Sequence, residues 1–325
     1  ENVPGMASGG HSSILEQLII EFQDAGYVIA YPPRVLNAAD FGVPQDRRRL
    51  ILLGSRQDQP VLQYPEPTVY PVPKRQPAPG IIQPQTFAIE DLVLPIGPTV
   101  WQAIGDLPNL DYFPELLKSD QLILPGEVLQ KIAESASPYS SILRGLTPDH
   151  ADFSYPRVWD RHLLTSSLQT AHSALSVSRF AATKPGEVES VSRFYRLDPE
   201  GLCNTLRAGT GSERGAYTSP RPIHPVYHRT ISVREGARLH SYPDWFRFHP
   251  TKWHGFRQVG NSVPPLFGRA IAQKIIAALC VLPSKPTQAI ELGDKRLLGL
   301  DMSRAAELFA VSRDTIPQPR RRQLA

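Results

Sequence analysis

Tyr27-Val28-Ile29-Ala30-Tyr31, closed by Pro32-Pro33, and Leu50-Ile51-Leu52-Leu53, ended by Gly54, are the two apolar runs on which the fold class turns. Short, rich in β-formers and bounded by breakers, both predict buried strands. Just upstream, Ser13 and Glu16 stand at capping-box spacing, and Ile14, Leu15, Leu18, Ile19 and Phe22 repeat along one helical face until Gly26. A helix and two strands in this order predict the edge of an α/β sheet.

Outward from that edge the composition changes. Ten prolines fall between Pro60 and Pro98, a density that excludes long helices and central strands because each removes a backbone donor. From about Trp101 to Tyr217 short helical stretches such as Glu127 to Ser135 alternate with loops, without an internal repeat. Periodicity returns after Pro264-Pro265, where Phe267, Ile271, Ile275, Ile276 and Leu279 line one face of a predicted helix. A polar tail follows Pro283 and carries Arg320-Arg321-Arg322.

The 325 residues suffice for about two domains, and 41% hydrophobic against 20% charged residues argues against general disorder. No apolar run is long enough to span a membrane, so a soluble protein is expected. Two cysteines provide neither a disulfide framework nor a four-thiolate zinc site, which fits a reducing interior. Cys203 and Cys280 both read as small buried hydrophobes. His224 and His228 are four apart, but Pro225 breaks helical register between them, so no metal is expected. A net charge of +4 permits a nucleic-acid partner without demanding one. The chain opens at Glu1 with no initiator Met and no lead-in, so it reads as cut.

Four segments carry chemistry when taken together and in order: Glu1-Asn2-Val3, Gln45-Asp46-Arg47-Arg48-Arg49, Arg229 to Leu239, and Gln258-Val259-Gly260-Asn261-Ser262-Val263-Pro264. The ordered set resembles the C-terminal half of DNA cytosine-5 methyltransferases, as that family's sixth, eighth, ninth and tenth motifs. The resemblance covers about residues 1–58 and 200–282. The family's first and fourth motifs, a Phe-x-Gly-x-Gly loop and the Pro-Cys-Gln element with the nucleophile, are not in the chain.

The resemblance implies an α/β fold: part of a doubly wound, Rossmann-like methyltransferase sheet with a separate, irregular target recognition domain. Residues 1–58 are expected to be the C-terminal part of the catalytic domain. Residues 59–243 are expected to form the recognition domain, entered through the Pro-rich stretch 59–100 and closed by the ninth motif at 229–243. Residues 244–282 would return to the catalytic domain with the tenth-motif helix, leaving 283–325 as a polar, basic tail.

The family adds a cysteine thiolate to cytosine C6, making C5 nucleophilic toward the methyl group of S-adenosylmethionine. By resemblance, Glu1 donates or shares a proton at N3 and the exocyclic amine, and Arg49 meets O2, with Arg47 bracing the site or a phosphate. Both groups would act on a flipped base. Asn261, Ser262 and Val263 are assigned to the S-adenosylmethionine site, expected to be partly present. Thr205-Leu206, with Arg207 and Arg214 in the glycine-rich loop beyond, is assigned to DNA contact. Arg229, Arg234 and Glu235 are assigned to a structural motif, with Arg234 and Glu235 as an internal ion pair; Ser232 and Glu235 also form a capping box.

These implications predict a cytoplasmic, DNA-associated protein of bacterial type. Its partners would be double-stranded DNA and a complementing N-terminal methyltransferase subunit, with neither membrane nor metal, and the chain would be an incomplete fragment or split subunit, inactive alone. The competing reading is a sequence-specific DNA-binding protein that has lost catalysis. Two smaller expectations concern Trp245, Phe246, Phe248 and Trp253 as a local aromatic cluster, and Met302 to Ile316 as either half a helix-turn-helix or a short helix with a basic arm.

Overall fold

The computed structural model describes residues 1–7, 12–72, 94–209, 221–312 and 315. Helix α1 (Ser12–Asp24) starts one residue before Ser13, so Ser13 lies in its first turn and does not cap it. Gly26, at φ +85°, turns the chain out of the helix as expected. Five short strands follow: β1 (Tyr27–Ile29), β2 (Arg34–Asn37), β3 (Gln45–Asp46), β4 (Arg48–Ile51) and β5 (Gly54–Arg56). Both expected strands exist with altered bounds. Antiparallel pairing with β2 from Asn37↔Arg48 to Arg34↔Ile51 draws two arginines into β4, and Gly54 opens β5, which pairs antiparallel with β1.

The middle of the chain supplies α2 (Val100–Ile104), β6 (Leu122–Ile123), α3 (Gly126–Ser135), α4 (Pro138–Leu143), β7 (Arg157–Val158), β8 (Leu163–Leu164), α5 (Ala174–Ala182) and β9 (Cys203–Asn204). Then come α6 (Val233–Leu239), α7 (Lys252–Asn261), α8 (Pro265–Ala278), β10 (Ile290–Glu291) and α9 (Met302–Leu308). The class is α/β, with the described strands paired two by two. Thr99 and Ser232 cap α2 and α6 through reciprocal boxes with Gln102 and Glu235, the second as read from sequence. Residues 73–93 of the Pro-rich stretch lie outside the described residues. Its flanks run extended, with Tyr70 N–H donating to Pro95 O and Gly97 N–H to Tyr70 O.

Two cores organise the described residues. The smaller joins Ala30, Phe41, Val43, Ile51, Leu53 and Tyr64 to Phe267 and Ala270 of α8. The larger joins α2, Leu116, Ile132, Cys203 and Leu206 to α6 and to Phe248, Phe256 and Val259. Chain 244–259 therefore packs with the larger core, and the return to the smaller one comes at α8. Buried apolar area drives both. Between them runs the parallel ladder Gln45↔Cys203 and Asp46↔Asn204, so the two cores meet along β3 and β9.

Three burial expectations need correction. Of the first apolar run, Ile29 and Ala30 are buried while Tyr27, Val28 and Tyr31 are exposed. On α8 Phe267 and Ala270 are buried and Ile271 packs on the core, but Ile275 and Leu279 are exposed because the smaller core ends with the first turns of the helix. Cys280 follows α8 in a left-handed conformation (φ +53°) and is exposed, whereas Cys203 is fully buried. The tail returns to the body: β10 pairs parallel with β7, and Lys285 Nζ donates to Asp149 O. Beyond α9 the chain turns at Phe309–Ala310; Arg313, Asp314 and residues 316–325, the rest of the suspected second helix and the arginine run, lie outside the described residues. Among the described residues no helix is long and apolar enough to cross a membrane.

Candidate functional site

Asn2 and Leu50 exchange both backbone hydrogen bonds, at 3.0 and 2.8 Å, pinning the first residues against β4. Side chains alternate along paired strands, so Glu1 and Arg49 share the face opposite Leu50. There Arg49 Nε lies 2.6 Å from Glu1 Oε1, with the two side chains 12% and 29% exposed. Arg49 Nη1 donates to Arg48 O, which holds the guanidinium near the strand while leaving the pair open to solvent on one side. A carboxylate and a guanidinium this close form a planar donor and acceptor set suited to a heterocyclic edge.

Arg47, two residues earlier, is spent inward. Its guanidinium donates from Nη1 to Leu206 O (3.0 Å) and from Nη2 to Gly260 O and Ser262 O (both 2.9 Å). Burial, then the neighbouring Arg49, brings its pKa down to about 10, and Glu1 opposes this. Arg47 is therefore buried, with its guanidinium committed to three backbone carbonyls.

Gln45 is also fully buried. Its Oε1 accepts from Leu206 N, while Nε2 donates to Leu239 O and meets His240 Nδ1 at 3.0 Å. His240 Nε2 lies 3.1 Å from Ser262 O, an acceptor, which assigns the ring proton to Nε2 and the lone pair to Nδ1. Burial, then Arg47, holds the imidazole neutral with a pKa of about 3. The same seam brings Gly260 against the Arg207–Ala208 backbone, where an added Cβ would lie 2.4 Å from Arg207 C.

The other sequence-assigned residues divide by burial. Asn261 and Val263 are exposed, and between them Ser262 Oγ donates to Val259 O. An open amide and an apolar side chain on a turn clamped from beneath fit one wall of an amphipathic ligand's site. Thr205 Oγ1 donates to Asp46 O, and Leu206 is buried in the larger core, which removes Leu206 from the DNA surface; Arg207 is exposed. Arg214 lies outside the described residues.

Arg229, Arg234 and Glu235 are all buried, but the ion pair is not the expected one. Glu235 takes a bidentate pair from Arg229, at 2.9 and 2.7 Å, while Arg234 donates to Thr165 and to the Pro243 and Phe246 carbonyls. Adjacent helical residues point different ways, so Arg234 and Glu235 cannot face each other. Burial opposes ionisation of Glu235, yet Arg229, then His224, outweighs it and holds the pKa at about 2. His224 Nδ1 accepts from Val226 N and Tyr227 N.

Sequence reasoning missed the Arg238 cluster, in which Arg238 pairs with Asp106 and Asp244, and Asp244 also holds Arg144. It also gave no role to Gln45 or His240. No local spacing signals these partners, since Gln45 and His240 are 195 residues apart. Of the aromatic cluster, Trp245, Phe246 and Phe248 do pack together with Tyr242, whereas Trp253 sits against His254 under Arg257.

The model of the family described as C-5 cytosine-specific DNA methylase matches residues 1–277. The chain is 49% identical over 332 aligned residues to the type II methyltransferase M.XorII of Xanthomonas oryzae pv. oryzae, covering 99% of this chain and 70% of that protein. It is 27% identical to type II methyltransferase M.AgeI of Thalassovita gelatinovora, over 86% of this chain and 73% of the other. A solved E. coli structure, of a protein described as a DNA modification methyltransferase encoded within a prophage, is 26% identical. It superposes with a TM-score of 0.57 and covers 86% of this chain and 68% of its own. The family match runs through the whole middle of the chain. That overturns the expectation of a likeness confined to 1–58 and 200–282.

Proposed function

The chain belongs to the C-5 cytosine-specific DNA methylase family, and from that premise we propose that its Glu1 and Arg49 face holds the edge of a flipped cytosine of duplex DNA for methylation at C5. The observation that carries this reading is the 2.6 Å Glu1 to Arg49 contact, partly exposed and beside the Asn2 and Leu50 bridge that pins the first residues to β4. S-adenosylmethionine, on which the family depends, supplies an electrophilic methyl group when bound. Glu1 carries the proton shared with N3 and the exocyclic amine, and Arg49 stabilises charge at O2 as the ring becomes electron-rich. Arg47 contributes by orienting that strand. Asn261, Ser262 and Val263 form one wall of the cofactor site.

The smaller core, from residues 1–58 and the tenth-motif helix, is the catalytic part. The stretch from 59 to 243 is the recognition domain, with Arg207 and Arg214 among its phosphate contacts, and 283–325 is an accessory tail. The two cores, joined along β3 and β9, support this division. The setting is the cytoplasm of a bacterium, where DNA is accessible.

Transfer of labelled methyl from S-adenosylmethionine to duplex DNA tests the reading. Arg49→Ala is expected to lower the rate by about 100-fold or more, with duplex affinity nearly unchanged. An equal loss of affinity and rate would instead make Arg49 a DNA-binding group.

A further inference from the structure

Three segments that must keep fixed relative positions meet at one side chain. The strand carrying Arg49 begins beyond Gln45, the recognition backbone passes at Leu206–Ala208, and the turn assigned to the cofactor lies at Gly260–Val263. His240, immediately after α6, joins them: Nδ1 accepts from Gln45 Nε2 and Nε2 donates to Ser262 O. Gln45 passes the link on, since its Oε1 takes the Leu206 N–H at 3.1 Å. Arg47 runs parallel to this path, from Leu206 O to Gly260 O and Ser262 O, and the close approach of Gly260 to Arg207 leaves no space for slippage.

We propose that His240 is a positioning residue that locks the cofactor-side turn to the recognition backbone through Gln45, so that cofactor and target base are presented in fixed register. The inference rests on the reading of Asn261 to Val263 as a cofactor wall. The imidazole suits the task because neutral imidazole is donor at one nitrogen and acceptor at the other, about the span needed between an amide N–H and a carbonyl. A buried link of this kind acts only if every member is satisfied, and Gln45 and His240 satisfy each other.

Two variants separate positioning from folding. In H240N the amide oxygen replaces Nδ1 and keeps Gln45, but the side chain is too short for Ser262 O; in H240Q the longer side chain brings its amide nitrogen to the place of Nε2 and keeps Ser262 O. Hydrogen exchange on the protein alone is expected to quicken in the 260–263 turn of H240N while the Leu206 amide stays protected, and the 260–263 turn is expected to regain its wild-type protection in H240Q. In turnover assays with S-adenosylmethionine and duplex DNA, H240N is expected to raise the KM for S-adenosylmethionine about tenfold, with kcat and the KM for DNA within about twofold. Uniformly faster exchange throughout H240N, or an unchanged 260–263 turn, would overturn the proposal. So would a loosened turn without any change in the KM for S-adenosylmethionine. Lack of turnover by the wild-type protein is a failure of the methyltransferase reading instead, and the exchange pattern then decides the link by itself.

Discussion

Arg47 and Arg49 are two residues apart on one sequence motif and have opposite surroundings. Arg49 keeps a carboxylate partner at the surface, while Arg47 is buried and donates to Leu206, Gly260 and Ser262 carbonyls. A lysine ammonium is a compact point charge and cannot reproduce the planar fork, so Arg47→Lys is expected to cost about 2 kcal/mol or more, read as a lower urea midpoint. Acidity is the other residue-scale lever. Glu235 and Asp244 are held at about 2, against ordinary values of 4.5 and 3.8, and His224 and His240 at about 3, against 6.5. For all four, the unfolded chain binds more protons between the folded and ordinary pKa values, so stability rises with pH through those windows. Thermal midpoints are expected to rise with pH above about 7, where buried Lys252 is held at about 7 against an ordinary 10.5, to fall as the histidines pass below 6.5, and to fall more steeply below about 4.5 as the carboxylates join. A midpoint that rises on acidification from pH 6 to pH 4 would contradict these assignments.

At the scale of elements, what could be read from sequence was local. The Ser232 and Glu235 box spans three residues and appears as expected, and Gly26 stops α1. The strand bounds were not legible, because β4 takes its register from β2 across a loop. Nor was the partner of Glu235, since choosing between Arg229 and Arg234 requires knowing which way α6 faces. The docking of α7 on the recognition backbone has its own test in glycine. A Cβ at Gly260 would sit 2.4 Å from Arg207 C and 2.5 Å from Ala208 N, backbone atoms that cannot give way singly, whereas at Gly236 it meets the Phe256 ring edge at 2.8 Å. Gly260→Ala is expected to destabilise by about 3 kcal/mol or to separate the two segments, lowering affinity for S-adenosylmethionine and DNA together. Gly236→Ala, where a ring can shift, is expected to cost less and to spare both affinities. Equal effects of the two substitutions would mean that the seam yields as easily as the core.

For the whole molecule, the α/β class and the family were legible because family motifs lie in short, contiguous runs. The extent of the family likeness was not, because the stretch between residue 58 and residue 200 follows no simple period, and its burial is organised by partners far away. Arg238 shows why: Asp106, which neutralises it, is 132 residues distant. The two cores share the seam of β3 and β9, and every functional assignment depends on that seam holding the Glu1 and Arg49 face beside the 260–263 turn. The most direct test of the central claim is chemical. Duplex DNA is incubated with the protein and labelled S-adenosylmethionine, digested to nucleosides and resolved by mass spectrometry. The account predicts label in 5-methylcytosine, lost in Arg49→Ala; label in N4-methylcytosine or N6-methyladenine, or 5-methylcytosine formed undiminished by Arg49→Ala, would contradict it.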